Sequence, residues 1–553
     1  MASRARRQRR DSKAARPTEA AAADHEQQTS RRPMSRNETV AWMVLLAAAV
    51  GALIWRHHSV LFYSWTDEQI HYYVAHRMAQ GAVLYRDIDS ARPPLVLFPL
   101  EWLIKMGCSP LVAGRVLVVV TQLATAGLLF WGGDRLASRR AGALAALLFL
   151  TSPEVFARIH YTGIHLVAFS VSACVVCAVM GRPLWAGLWF GLTLAADQHG
   201  LAICAVVAIW TVARRPRDVI PFSAGALGVA AVVFGSVWVA GGRHLWRSLV
   251  GIHLFHLRLG QGVSEQFWNS FTPWLYEHVY LLVGAGLAVA LLGIKRASAT
   301  GGDPGQRSST PLRTLVRVLL LVIGAHVVIV LAMKESVFLY VAVIAPLLTL
   351  LAAVGFDATL AWWHQRRRSS RRTARLTLGG ALAILALTAG GWAAACSYRE
   401  GLDERPYSFW PYVLHAQVLR SQELDVTRWV DRESMLPEAG TIFGDPTIVS
   451  VLALKSGLRV SGELADLNPV WIEGGSIKPE EVVSRIERDG VAAVISPPWG
   501  LVQDPTFKSY LFACYQKPRP FFPPHSGPGD RLPPFILVFD HLRGSVRCQA
   551  PTP

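Results

Sequence analysis

Apolar runs of membrane-crossing length recur along the first 396 residues of this 553-residue chain, and that recurrence fixes its fold class. A membrane helix needs about 20 mostly apolar residues. That ruler marks eleven candidate spans: residues 39–55, 111–132, 141–151, 164–180, 184–196, 201–212, 219–239, 275–294, 315–333, 338–354 and 376–395. The two flanking Asp197 are short, so the count is good to two. Composition agrees, with 52% of residues hydrophobic and only 17% charged. Soluble domains carry about a quarter charged residues, and a single soluble core stops growing at roughly 250–300 residues. An aromatic content of 10% excludes disorder, and the lack of a glycine period excludes a collagen-like chain. The expected fold is a polytopic α-helical membrane protein.

Charge divides the chain. The formal net charge is +17. Residues 1–396 hold 39 basic and 19 acidic residues, whereas residues 397–553 hold 16 and 19. Short cytoplasmic loops collect Lys and Arg. Ten basic residues lie in the arm up to Arg36, three in 134–140, three in 214–217, five in 295–317 and six in 366–375. These segments alternate along the spans, so the arm is expected inside and the C-terminal part outside. Residues 1–38 read as a basic disordered cytoplasmic arm, 39–396 as the membrane domain and 397–553 as an extracytoplasmic α/β domain. The arm is too long and polar for a signal-peptide leader, so the first span is expected to stay as an anchor. Its arginines are read as topogenic charge beside anionic lipid, with no nucleic-acid partner. In the last domain, 422–432 and 478–489 are helix-like, while 440–443, 491–495 and 535–539 read as strands.

Seven cysteines form no metal pattern. Cys174 and Cys177 make a CxxC inside a span, where apolar filling is the better reading. Cys514 and Cys548 are a candidate disulfide pair, with free thiols an equal alternative.

The loop after the first span is the most informative segment. Asp67 and Glu68 follow the span closely, and residues 67–80 have helical spacing ended by Gly81. Pro93 and Pro94 open a second amphipathic stretch, and such helices lie along membrane surfaces. Ordinary solvated acids are the plain reading of the pair.

The order Asp67-Glu68, an amphipathic helix, Gly81, Tyr85, Asp87, then Arg92 before Pro93-Pro94 resembles the first loop of the GT-C membrane glycosyltransferases. More narrowly it resembles the bacterial branch related to protein O-mannosyltransferases and the lipid A aminoarabinose transferase (glycosyltransferase family 39-like). Arg115 near the start of the second span, and Lys334, Phe338, Tyr340 and Pro346 in a late outside turn, resemble the same family more loosely. Two departures stand out. Relatives often carry a Lys in the turn that here reads Asp197-Gln198-His199, and an acid where this chain has Arg158, His160 and His165.

The resemblance implies transfer of a sugar from a polyprenyl-phosphate donor to an envelope acceptor (lipid, polysaccharide or protein) on the outer side of the cytoplasmic membrane, by inverting single displacement. It implies Asp67 as general base, with Glu68 its alternate or a cation ligand. Arg92 and Lys334 would hold the donor phosphate, with Arg243, Arg247 and Arg258 weaker candidates. Asp87 and Asp89 would orient the loop through Arg86 or Arg92. Tyr85 would anchor at the interface or pack on the sugar, and Tyr340 and His160 would contact substrate; for His160 a structural hydrogen bond is the plainer reading. Metal dependence stays open: a divalent cation is compatible, but no spacing demands one. The rival classes are a flippase for lipid-linked sugars and a non-catalytic envelope-assembly protein. Few mid-span charges and no repeated halves weigh against the first, and eleven spans are too many for the second.

Overall fold

The computed structural model describes residues 36–58, 67–242, 274–299, 310–332, 342–366, 440–461, 477–521 and 536–541, with 245 and 249; the short stretches 89, 153–154, 156–159, 198–199, 277 and 497–499 are excepted. Helix follows apolar sequence closely. The membrane part contains α1 (Arg36–His58), α2 (Glu68–Ala79), α3 (Pro94–Lys105), α4 (Pro110–Leu136), α5 (Arg139–Leu150) and α6 (Ile164–Val179). It continues through α7 (Pro183–Ala196), α8 (Leu201–Arg214), α9 (Val219–Gly241), α10 (Val279–Ala299), α11 (Thr310–Ala332) and α12 (Ala345–Arg366). The described parts of ten expected spans thus fall on helices, and residues 333, 338–341 and 376–395 lie outside the described residues. Five of these segments are individually long and apolar enough to cross a membrane: Arg36–Trp55, Pro110–Leu136, Pro216–Ala240, Leu312–Ile329 and Ala342–Trp362. Helix α12 runs past the expected end at Val354, and on that extension Asp357 accepts from the Ser138 hydroxyl at 2.7 Å.

Local chemistry sets the helix starts. Pro fills the first turn of α3, α4 and α7, where its missing N–H costs nothing. Ser109 and Ser138 cap α4 and α5 through bonds from Val112 N and Ala141 N. The chain reverses between successive helices from α4 to α9. This gathers the α1–α4 loop, the α5–α6 turn and the α7–α8 turn at one end of the bundle. At the other end Arg140 pairs with Glu38.

Small residues let the helices touch backbone to backbone, as in membrane interfaces. A Cβ on Gly187 of α7 would lie 1.9 Å from the Phe222 carbonyl of α9, and one on Gly355 of α12 would lie 1.9 Å from the Gly284 carbonyl of α10. Gly355→Val is therefore expected to lower the melting midpoint of the detergent-solubilised protein, by an overpacking cost of about 1–3 kcal/mol. Gly286→Val, on the same α10 but with nothing within 4 Å of its added Cβ, should leave it unchanged.

The C-terminal segment forms β1 (Thr441–Gly444), α13 (Pro446–Ser456), β2 (Arg459–Val460), α14 (Pro479–Arg488), β3 (Val491–Ser496), α15 (Pro505–Cys514), β4 (Arg519–Phe521) and β5 (Ile536–Asp540). The sheet order is β2-β1-β3-β5-β4, parallel across β2-β1-β3 and antiparallel beyond. The three expected strands and the expected helix at 478–489 are present. Helices α13 and α15 were hidden by short apolar sequence that strand and helix share, and residues 422–432 lie outside the described residues. Asp445 and Asp504 cap these two helices. Cys514 is buried, and Cys548 lies outside the described residues.

This domain shares a core with α2. Ile70, Tyr73 and Val74 pack into one buried cluster with Ile448, Val449, Leu452 and Val460. Val460 N donates to the Tyr73 hydroxyl at 2.8 Å. The helix that begins at the acidic pair is therefore clamped between the membrane bundle and the α/β domain.

Candidate functional site

The acidic pair splits into two unlike environments, because consecutive residues at a helix start point in different directions. Asp67 occupies the N-cap position of α2, and its side chain is 59% exposed. Glu68, one residue later, is 0% exposed. Arg115 of α4 grips Glu68 with both terminal guanidinium nitrogens, Nη1 and Nη2, at 2.7 and 3.0 Å. The Tyr72 hydroxyl and the Tyr161 N–H each donate to Glu68 Oε2 at 3.0 Å, and His160 Nδ1 lies 3.1 Å from Oε1. Burial pushes this carboxyl up, but the charges of Arg115 and then His160 more than reverse the effect, holding it well below the usual carboxylate range. Glu68 as an alternate base or cation ligand does not suit this geometry: its oxygens are spent on fixed donors. Gly114 permits the arrangement, since a Cβ there would lie 2.4 Å from the Tyr72 ring.

Arg92 stands on the other side of Asp67. Its Nη2 lies 3.3 Å from Asp67 Oδ2, and its Nη1 lies 3.5 Å from Oδ2 of Asp197. The arginine side chain is 25% exposed and the Asp197 side chain 1%. Asp197 closes α7, and the acid there sets a negative charge against the Arg92 guanidinium.

The first loop is shaped to aim Arg92. Tyr85 adopts φ 65, unusual for a non-glycine residue, and its hydroxyl donates to the Arg92 carbonyl. Tyr85 is buried, which corrects the expectation of an interfacial anchor or a sugar platform. The side chain turns inward because its hydroxyl has that carbonyl to bond and its ring packs in the cluster around α2. Asp87 pairs with Arg86 and accepts from Val83 N at 2.9 Å, closing the turn. Asp89, Arg243, Arg247, Arg258, Lys334 and Tyr340 lie outside the described residues.

Three further groups were not singled out by the sequence. His71, one turn beyond Asp67, donates from Nδ1 to the Tyr161 carbonyl at 2.9 Å. Burial and then the positive charge of Arg92 push this imidazole down to about 4, so it is neutral near pH 7. Tyr161 is buried and donates to the Val96 carbonyl. Asp445, from the α/β domain, is half-buried; desolvation pushes its carboxyl up, and the negative charge of Asp67 adds to the rise. A histidine or acid inside an apolar stretch was the available signal, but sequence cannot show which neighbours would meet it. Among the described residues, no cluster of three or more His, Cys, Asp and Glu could hold a metal ion.

Four separate chain segments thus bring Asp67, Arg92, His160 and Asp197 to one end of the bundle. The solved structure of ArnT from Cupriavidus metallidurans bound to undecaprenyl phosphate superposes on this chain with a TM-score of 0.57 at 14% identity, covering 93% of this chain and 99% of that one. Its apo form gives 0.55 at 16% identity, covering 91% and 98%. The chain has the GT-C fold. The oligosaccharyltransferase of Archaeoglobus fulgidus in its apo form is similar at a TM-score of 0.48 and 11% identity, over 93% of this chain and 76% of that one. No family model and no curated protein matches the sequence. Within the GT-C fold of this chain, the exposed carboxylate–guanidinium pair lies on the first loop, and the buried pair behind it belongs to the scaffold.

Proposed function

We propose that this protein is a membrane glycosyltransferase that moves a sugar from a polyprenyl-phosphate carrier to an envelope acceptor at the outer face of the cytoplasmic membrane. The observation that carries the reading is the exposed Asp67–Arg92 pair, 3.3 Å apart and braced by buried Asp197. The distribution of Lys and Arg supports placing this end of the bundle outside. The α/β domain, packed on α2, then lies outside as well. A donor whose isoprenoid tail stays in the bilayer presents its phosphate at headgroup level, where span ends and surface helices meet. The undecaprenyl phosphate held by the similar ArnT supports this donor class.

Arg92 takes the donor phosphate, whose oxygens match its planar fork, and Lys334 is assigned the second cation. Drawing Arg92 onto phosphate loosens its hold on Asp67. The Asp67 carboxylate then accepts the proton of the acceptor's hydroxyl or amine as that atom attacks the anomeric carbon. The new glycosidic bond forms on the face opposite the phosphate, and the carbon–oxygen bond to phosphate breaks. Its electron pair leaves with polyprenyl phosphate, which the cationic side chains stabilise. Attack from the opposite face inverts the anomeric centre. Any divalent cation would act beside these groups, and no step here runs through one.

Arg92→Ala is expected to weaken binding of undecaprenyl phosphate by about tenfold or more, the loss of a charge-assisted bond of about 1.5–3 kcal/mol. Titration of the purified protein in lipid nanodiscs checks this. Unchanged affinity would remove Arg92 from the phosphate site.

A further inference from the structure

The far end of α7 from Asp197, and so from the Asp67–Arg92 pair, carries a rim of cations. Arg182 caps the start of α7, Arg214 closes α8, and Arg215 and Arg217 lie in the short turn that leads into α9. All four are exposed, and among the described residues none has a carboxylate partner. Asp218 is the acid of this stretch. Arg140, by contrast, is engaged by Glu38. Helices α7 and α9 run side by side in the same direction: a Cβ on Gly187 would meet the Phe222 carbonyl, and one on Gly191 the Ala226 carbonyl. That pattern sets the two helix starts level, so Arg182 and the stretch Arg214–Arg217 belong to one rim.

Tryptophans mark its depth. The Arg182 guanidinium carbon lies 5.6 Å from the centre of the Trp131 ring, and that of Arg214 lies 5.3 Å from the Trp210 ring. Cations at these distances are attracted to the ring faces. Trp185, in the first turn of α7, is exposed. Tryptophan gathers where headgroups meet acyl chains. Beside these rings, Leu184 of α7 and Ile220 and Leu227 of α9 are exposed as well, and the segment Pro216–Ala240 is long and apolar enough to cross a membrane. We propose that this rim is a binding site for an anionic phospholipid, its phosphate on the four arginines and its acyl chains along the apolar faces of α7 and α9. The planar guanidinium matches phosphate oxygens, and basic clusters beside membrane helices attract anionic lipid. A zwitterionic headgroup would add its own cation to a rim already rich in them. A soluble anion would make no use of the apolar faces. The site is separate from the one assigned to the donor: α7 has 14 residues, which at 1.5 Å per residue puts about 21 Å between Arg182 and the Asp197 end.

The test places the full-length protein in nanodiscs of phosphatidylcholine, titrates in phosphatidylglycerol, and counts each lipid retained by native mass spectrometry. The wild type is expected to retain phosphatidylglycerol over phosphatidylcholine by about 30-fold or more, a preference of about 2 kcal/mol. Arg182→Gln should lower that preference about three- to fivefold, the share of one basic residue near an anionic surface. The fourfold variant, with Arg182, Arg214, Arg215 and Arg217 each changed to Gln, should bring it to about twofold or less. Arg92→Ala should leave it unchanged, which separates this rim from the donor site. Melting midpoints show whether each variant is folded, and Arg182→Gln decides alone if the fourfold variant melts early. Equal retention of the two lipids by the wild type overturns the proposal. So does a preference unchanged in Arg182→Gln, or one that survives in a folded fourfold variant. Displacement of phosphatidylglycerol by inorganic phosphate also overturns it, since the rim would then belong to a soluble anion.

Discussion

Asp67→Asn is expected to lower sugar transfer by about 100- to 10,000-fold, the range that removal of a general base produces, while membrane insertion and melting midpoint stay at wild-type values. Asparagine keeps the shape of the side chain and can still accept a bond from Arg92, but it cannot take a proton from the attacking group. The exposed position of Asp67 makes the fold tolerant of the change. Glu68 cannot substitute for it, since both Glu68 oxygens are engaged by Arg115, Tyr72, Tyr161 and His160. Transfer of radiolabelled sugar under single-turnover conditions measures the effect. Activity within a few fold of wild type would move the base elsewhere.

Arg115→Met has the opposite signature, a large loss of stability. Arg115 is 3% exposed and Glu68 0%. Removing one partner of such a pair leaves a buried charge uncompensated, at about 3–5 kcal/mol. The melting midpoint should fall accordingly, and transfer should fall with the folded fraction. Acid should act on the same region. Glu68 titrates below its ordinary value, so its stabilising contribution is present above the usual carboxylate range and is lost as pH falls through the lowered value. His71 is pushed from 6.5 to about 4, so the folded state favours the neutral ring, and that contribution declines as pH falls from 6.5 toward 4. Melting midpoints across this range should drop for the wild type. A flat profile would contradict the burial of His71.

Much of this arrangement was legible in the sequence because membrane solvent imposes a simple rule: an apolar run of sufficient length becomes helix. The ends of α1, α4, α6, α7 and α8 fall within a few residues of the apolar boundaries. The positions of Asp67 and Arg92 were legible because a charge beside a span and a charge before Pro-Pro stand out against an apolar background. What sequence could not give is which partner each charge takes. Asp67 and Glu68 look alike in a string, and only the packing of α4 against α2 decides that Glu68 meets Arg115. Asp197 was noticed as a departure from the family pattern, but its partnership with Arg92 spans more than 100 residues of chain. Tyr85 was misread because a tyrosine in a membrane-proximal loop suggests an interface, whereas a left-handed backbone turns its hydroxyl inward to the Arg92 carbonyl. The sharing of one core by α2 and the α/β domain had no sequence signal, since Tyr73 and Val460 are 387 residues apart.

On the proposed reading, the Asp67–Arg92 pair serves the making of a glycosidic bond from a carrier-linked sugar. Mass spectrometry of purified protein in nanodiscs, supplied with undecaprenyl-phosphate-linked sugars and an envelope extract, tests it most directly. The expected result is a new glycosylated product and an equal amount of released undecaprenyl phosphate with the wild type, and neither with Asp67→Asn. Recovery of the intact donor with no new glycosidic bond and no released undecaprenyl phosphate from the wild type would contradict it.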